Sequence, residues 1–121
     1  MTGIQDYDIM YQNKINRIIN NNPDLQGYYF FISSSSSLST IYSYLTYVKK
    51  FVDSINKPIE LLDGNDFMNY LAKFNVILKN GRKYSASYKI DIYQALKSFE
   101  NYLVATSKIS SSIMSAIKRP K

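Results

Sequence analysis

Apolar residues recur every three to four positions along most of this chain, the spacing that lines one face of an α-helix, and the breaks between runs fall on proline, glycine, asparagine and serine. Ile4, Tyr7, Tyr11, Ile15, Ile18 and Ile19 predict a first helix over residues 4–19. Asn20-Asn21-Asn22-Pro23 ends it, because proline disfavours helix at the residue before it. Pro23-Asp24 then opens a second helix, short and strongly aromatic, through Leu25, Tyr28, Tyr29, Phe30, Phe31 and Ile32. Four consecutive aromatics cannot all point into one core, so residues 28–31 are where an exposed aromatic patch is expected.

The serines at 33–37 are too few for a flexible interdomain linker and read as a helix-to-helix turn. Ser39 or Thr40 is expected to cap a third helix with Ile41, Tyr44, Leu45, Val48, Phe51, Val52 and Ile55 on its apolar face. Thr40, Ser43, Tyr47, Lys49 and Lys50 face elsewhere. Asn56-Lys57-Pro58 breaks this helix, and Asp63-x-x-Asp66 has the form of a capping start for a fourth, with Phe67, Tyr70, Leu71 and Phe74 as its buried side. Asn80-Gly81 marks the next turn. The fifth and longest helix begins near Ser85 or Ser87 and buries Tyr88, Ile92, Ala95, Leu96, Phe99 and Leu103, leaving Lys89, Tyr93, Lys97 and Glu100 on more open faces. Ser110 is expected to cap a last short helix over residues 113–117. No β-strand is needed, and the fold class is all-α, a compact bundle of about five to six helices.

At 121 residues the chain has room for one domain with a modest core. It contains no cysteine, which excludes disulfides and thiolate chemistry, and no histidine, which removes the commonest general base and metal ligand. The nine acidic residues never form a close pair around a Gly-rich turn. No catalytic residue, metal site or cofactor is therefore expected. No run approaches the roughly 18 apolar residues of a membrane span, and the N-terminus, with Asp6 and Asp8, lacks a signal-peptide pattern, so a soluble, cytoplasmic protein without membrane partners is expected.

Charge changes the picture. The net charge is +6, but residues 1–78 carry six Lys/Arg against seven Asp/Glu, whereas residues 79–121 carry nine against two. A one-sided positive field attracts polyanions, although a merely solubilising basic tail has the same appearance. The string Lys79-Asn80-Gly81-Arg82-Lys83-Tyr84-Ser85 sets three cations and a turn directly before a helix N-terminus, where exposed N–H groups and the helix dipole already favour an anion. It is the best candidate phosphate site, with Lys83 and Lys89 expected to contact phosphates or base edges and an ordinary solvated loop as the alternative. Twelve tyrosines stand in the chain without a tryptophan. Tyr42, Tyr47, Tyr84 and Tyr93 are candidates to stack on a sugar or donate to phosphate, whereas Tyr44, Tyr88 and Tyr102 fall on or beside core faces. Ser39 and Ser85 serve equally well as caps or as phosphate contacts.

The order of these parts carries a resemblance. A Ser-Thr helix start has Tyr four and Phe eleven residues later (Thr40, Tyr44, Phe51), and a Pro-Ile then Leu-x-Gly-x-Asp start follows (Pro58, Ile59, Leu62, Asp66). Next comes a Gly-x-x-x-Ser-x-Ser helix ending in Ala-Leu-x-x-Phe (Gly81, Ser85, Ser87, Ala95, Leu96, Phe99), then a Lys-Ile turn and Lys118-Arg119-Pro120-Lys121. Over residues 23–121 the chain resembles the N-terminal core-binding, or SAM-like, domain of phage-integrase-type tyrosine recombinases.

What the resemblance implies is a helical domain on one face of duplex DNA, with helices 39–55 and 85–106 approaching the major groove. A C-terminal catalytic domain of the same full-length chain would close on the other face and carry out strand cleavage and integration or recombination. None of that domain's catalytic groups maps onto this sequence. Residues 1–22 are then an N-terminal helical extension, 23–117 the core-binding domain, and 118–121 the start of a linker. The residues expected at DNA are Ser39, Thr40, Ser43, Tyr47 and Lys50 on the third helix, Arg82, Lys83, Tyr84, Ser85, Lys89 and Tyr93 at and after the basic turn, and Lys118 and Arg119 at the end. Expected partners are double-stranded DNA, the catalytic domain, and neighbouring recombinase protomers on DNA, in a bacterial cytoplasm at the nucleoid; the piece alone is expected to be monomeric. The alternative is a helical protein-interaction domain with an incidental basic end.

Overall fold

The computed structural model describes residues 6–75 and 78–109, and these form five α-helices with no strand among them. Helix α1 (Asp6–Ile19) places Asp6 and Asp8 in its first turn and Arg17 in its last, each complementing the helix dipole. It buries Ile15 and half-buries Tyr11, Ile18 and Ile19, but Tyr7, assigned to the apolar face by spacing, is exposed. Helix α2 (Pro23–Ser33) begins with proline at its first position, and Asn22 caps it by accepting from the Leu25 N–H at 3.3 Å.

The serine run is a turn, as its length predicts, but the cap of α3 (Leu38–Ile55) is Ser37 and not Ser39 or Thr40. Ser37 Oγ accepts from the Thr40 N–H at 3.3 Å, which starts the helix earlier than the pattern of apolar residues indicates. Ile41, Leu45, Val48 and Phe51 form the buried stripe of α3. Its end is set by Asn56 in the left-handed conformation (φ 54), which asparagine tolerates better than most residues, just ahead of Pro58. A single 3₁₀ turn, Ile59–Leu61, leads to α4 (Gly64–Ala72), whose start is a full capping box: Asp63 accepts from the Asp66 N–H and Asp66 from the Asp63 N–H.

Helix α5 (Ala86–Ala105) is capped by Ser85, which accepts from the Tyr88 N–H at 3.1 Å. Tyr93 and Glu100 do not lie on its open face: they are 6% and 1% exposed. The reason is tertiary. Helix α5 packs against α2, α3 and α4, and three neighbours cover more of a helix than the single stripe read from its sequence. Helix α3 is the other hub and packs against α1, α2 and α5. The core combines aliphatic side chains with a network of aromatic rings. Phe51 meets Phe67 at 4.8 Å between ring centroids and Tyr70 at 5.1 Å, while Tyr28 meets Phe99 edge-on at 5.3 Å. Of the aromatics at 28–31, Tyr28 is buried, and Phe30 and Phe31 point outward at 70% and 43% exposure. The expected helix over 113–117, its cap Ser110, and Lys118 and Arg119 lie outside the described residues.

Candidate nucleic-acid interface

The exposed side of α3 borders two grooves. On one side Ser39, Thr40, Ser43, Tyr44 and Tyr47 face Asp91 and Gln94 of α5 across a shallow cleft. Four of the residues expected at DNA, Ser39, Thr40, Ser43 and Tyr47, thus share one side of the cleft, although the first and last stand eight positions apart. Helical geometry explains this: positions separated by three, four or seven residues share a face. The chemistry of the cleft is polar but not cationic, since Asp91 is the only charged group among the described residues that line it. Tyr47 is held in its neutral form, first by burial and then by the nearby Asp91 and Tyr88.

The basic turn adjoins this cleft through a chain of aromatic rings. Tyr47 meets Tyr88 edge-on at 5.8 Å, and Tyr84 stacks on Tyr88 at 5.6 Å with an interplanar angle of 19°. Phe74 packs edge-on against Tyr84 at 5.1 Å. Tyr84 is half-buried, with its ring packed on Phe74 and Tyr88. The turn itself is tightly hydrogen-bonded: the Leu78 N–H donates to the Arg82 carbonyl and the Gly81 N–H to the Leu78 carbonyl, both at 2.8 Å. Gly81 has φ 80, a value that explains glycine there, and Asn80 Oδ1 accepts from the Arg82 N–H at 3.0 Å.

Lys79, Arg82 and Lys83 are exposed around this turn, immediately before the N-terminus of α5. Lys89 is different: its ammonium donates to Asn75 Oδ1 at 3.3 Å and ties α5 to the 3₁₀ turn Lys73–Asn75. Ser85 also has its oxygen occupied, as the cap of α5. Tyr93, expected to face a ligand, is a core residue with a partner inside the protein. Lys50 is exposed on α3, as expected.

The second groove was missed by sequence reasoning. Lys14 and Arg17 of α1 face Tyr42, Lys49, Lys50 and Asp53 of α3. The signal was present, since Lys14 and Arg17 flank Ile15 and Ile18 on the rim of the apolar stripe, but only the packing of α1 on α3 places them beside Lys49 and Lys50. Among the described residues there is no cluster of acidic side chains suited to a metal, and no helix long and apolar enough to cross a membrane. Comparison with protein-family models, with curated proteins and with solved structures finds no match for this chain.

Proposed function

We propose that this chain is a duplex-DNA-binding module, the core-binding domain of a phage-integrase-type tyrosine recombinase. In this function α3 and the start of α5 approach the major groove at a recombination site. Strand cleavage belongs to a separate C-terminal catalytic domain, and neighbouring protomers on DNA complete the assembly. The observation that carries the proposal is the junction of α3 and α5. It sets the short polar side chains Ser39, Thr40 and Ser43 in one exposed cleft and fastens the Arg82–Lys83 turn to that cleft through Tyr47, Tyr88 and Tyr84.

Division of labour follows from the charges. Asp91 makes the cleft itself unsuited to phosphate, whereas a carboxylate, hydroxyls and the amide of Gln94 match the donors and acceptors on base edges. The exposed cations of the turn are placed for the backbone, which supplies most of the affinity through counterion release. If about five phosphates are neutralised, the salt slope is about −4.5 and affinity falls several hundred-fold between 50 and 200 mM salt.

The test is fluorescence anisotropy of the chain with a short generic duplex over a salt series, comparing wild type with Arg82→Ala/Lys83→Ala. Salt-dependent binding that the variant weakens supports the proposal. Absence of binding at low salt removes it and favours a second function, for which the outward-facing Phe30 and Phe31 on α2 are the specific observation: a helical domain that docks a protein partner.

A further inference from the structure

Two helices deliver four cations to the groove between α1 and α3: Lys14 and Arg17 from the first, Lys49 and Lys50 from the second. One carboxylate, Asp53, lies among them, and it is already engaged by Lys49 at 2.6 Å. Lys14 is held over the Tyr42 ring, 5.3 Å from its centroid, a contact that positions the ammonium without neutralising it. The groove is therefore left with a surplus of positive charge that tertiary packing has assembled from distant parts of the chain. Collecting like charges is unfavourable for folding alone, and a polyanion would relieve it.

We infer that this groove binds the phosphate backbone of duplex DNA on the flank of α3 opposite the α5 turn. The inference rests on the DNA-binding function above and adds to it α1, a helix outside the stretch that carries the family resemblance. The geometry comes from α3. Ser39, Ser43 and Tyr47 border the cleft toward α5, whereas Tyr42 and Thr46 border the groove toward α1, so the two neighbours bracket the exposed side of α3. A helix entering a major groove about 12 Å wide has a phosphate strand on each side. Packed helix axes stand about 8–10 Å apart, which lets cations on α1 and in the α5 turn reach opposite walls. Each flank then grips one strand while α3 lies between them.

The experiment is a salt series of duplex binding with wild type, Lys14→Ala/Arg17→Ala, and the charge-matched control Lys73→Ala/Lys97→Ala, whose residues line neither groove. Thermal melts check that each variant is folded, and Lys14→Arg/Arg17→Lys preserves the charge at both positions. The expected result is a salt slope shallower by about 1.8 for the α1 alanine pair, close to the wild-type slope for the control, and recovery in the charge-preserving variant. Wild-type binding with an α1 pair that loses no more than the control overturns the inference and leaves the DNA-binding function standing. Failure of the wild type itself to bind at low salt overturns both.

Discussion

The Tyr28 hydroxyl donates to Ser98 Oγ at 2.9 Å, joining α2 to α5 across 70 positions of sequence. Burial pushes the phenol's pKa up, and the Ser98 hydrogen bond opposes that shift only in part. An unfolded tyrosine titrates near 10, so stability tied to the neutral Tyr28 is complete below about pH 10 and is lost as the pH climbs toward the folded value. Tyr28→Phe is expected to cost about 1 kcal/mol at neutral pH, through the lost hydrogen bond, and to lessen the alkaline decline. Urea melts at neutral and alkaline pH check it; an unchanged alkaline limb would show that Tyr28 does not drive the decline. Tyr47 and Tyr70, both also raised chiefly by burial, should account for what remains.

Gly27 makes room for the same corner of the core. A Cβ there would collide with the Tyr102 hydroxyl, and the Tyr102 ring is confined by Tyr28, Phe31 and Phe99. Gly→Ala inside a helix ordinarily gains about 1 kcal/mol, but overpacking costs about 1–3 kcal/mol. Gly27→Ala is therefore expected to lower the melting temperature, and Gly27→Ala/Tyr102→Phe to recover part of the loss. A single variant as stable as wild type would mean that the ring moves freely.

The start of α4 should be acid-sensitive. Burial alone would raise the Asp66 carboxyl, but hydrogen bonds from Lys57 and from the Asp63 N–H outweigh it, and the group titrates below the usual carboxylate range. Its Oδ2 lies 2.7 Å from Lys57 Nζ and accepts from the Asp63 N–H at 3.0 Å. With a depressed folded value, the stabilisation is present above about pH 4 and disappears as the pH falls through that value. Lys57, raised first by its bond to Asp66, carries the opposite sign and weakens only at high pH. Asp66→Asn is expected to flatten the acid limb of an unfolding-versus-pH curve. Identical limbs in the two proteins would contradict this.

Ser37 and Ser85 cap helices, whereas Ser39 does not. Ser37→Ala and Ser85→Ala each remove an observed helix cap and are expected to cost about 1 kcal/mol, whereas Ser39→Ala, which leaves the Ser37 cap in place, should be nearly neutral for stability. If Ser39 serves the cleft facing Asp91 and Gln94, its substitution changes duplex preference and not the melting temperature. Chemical denaturation alongside competition between duplexes of different sequence checks both halves; a large stability loss at Ser39 would assign it to the helix instead.

Most of the helical layout was legible along the chain because its determinants are local. The Asp63/Asp66 capping box, Pro23 at a helix start, Asn56 ahead of Pro58, and Gly81 in its turn each act within a few residues, so spacing alone exposes them. The cap of α3 falls on Ser37 and not on Ser39 or Thr40 because neighbouring hydroxyls offer equivalent oxygens, and only backbone conformation selects one. By itself, then, the sequence determined an all-helical chain, the apolar stripes of its helices, and a basic turn ahead of α5. Tertiary structure alone decided that Tyr93 and Glu100 are enclosed, because burial on the flank of a helix depends on how many neighbours it has and not on its own period. It also decided that Tyr84 is spent in a ring stack and that Lys14 and Arg17 share a groove with Lys49 and Lys50. Such pairings depend on which helix packs beside which, and no local pattern of residues encodes that choice.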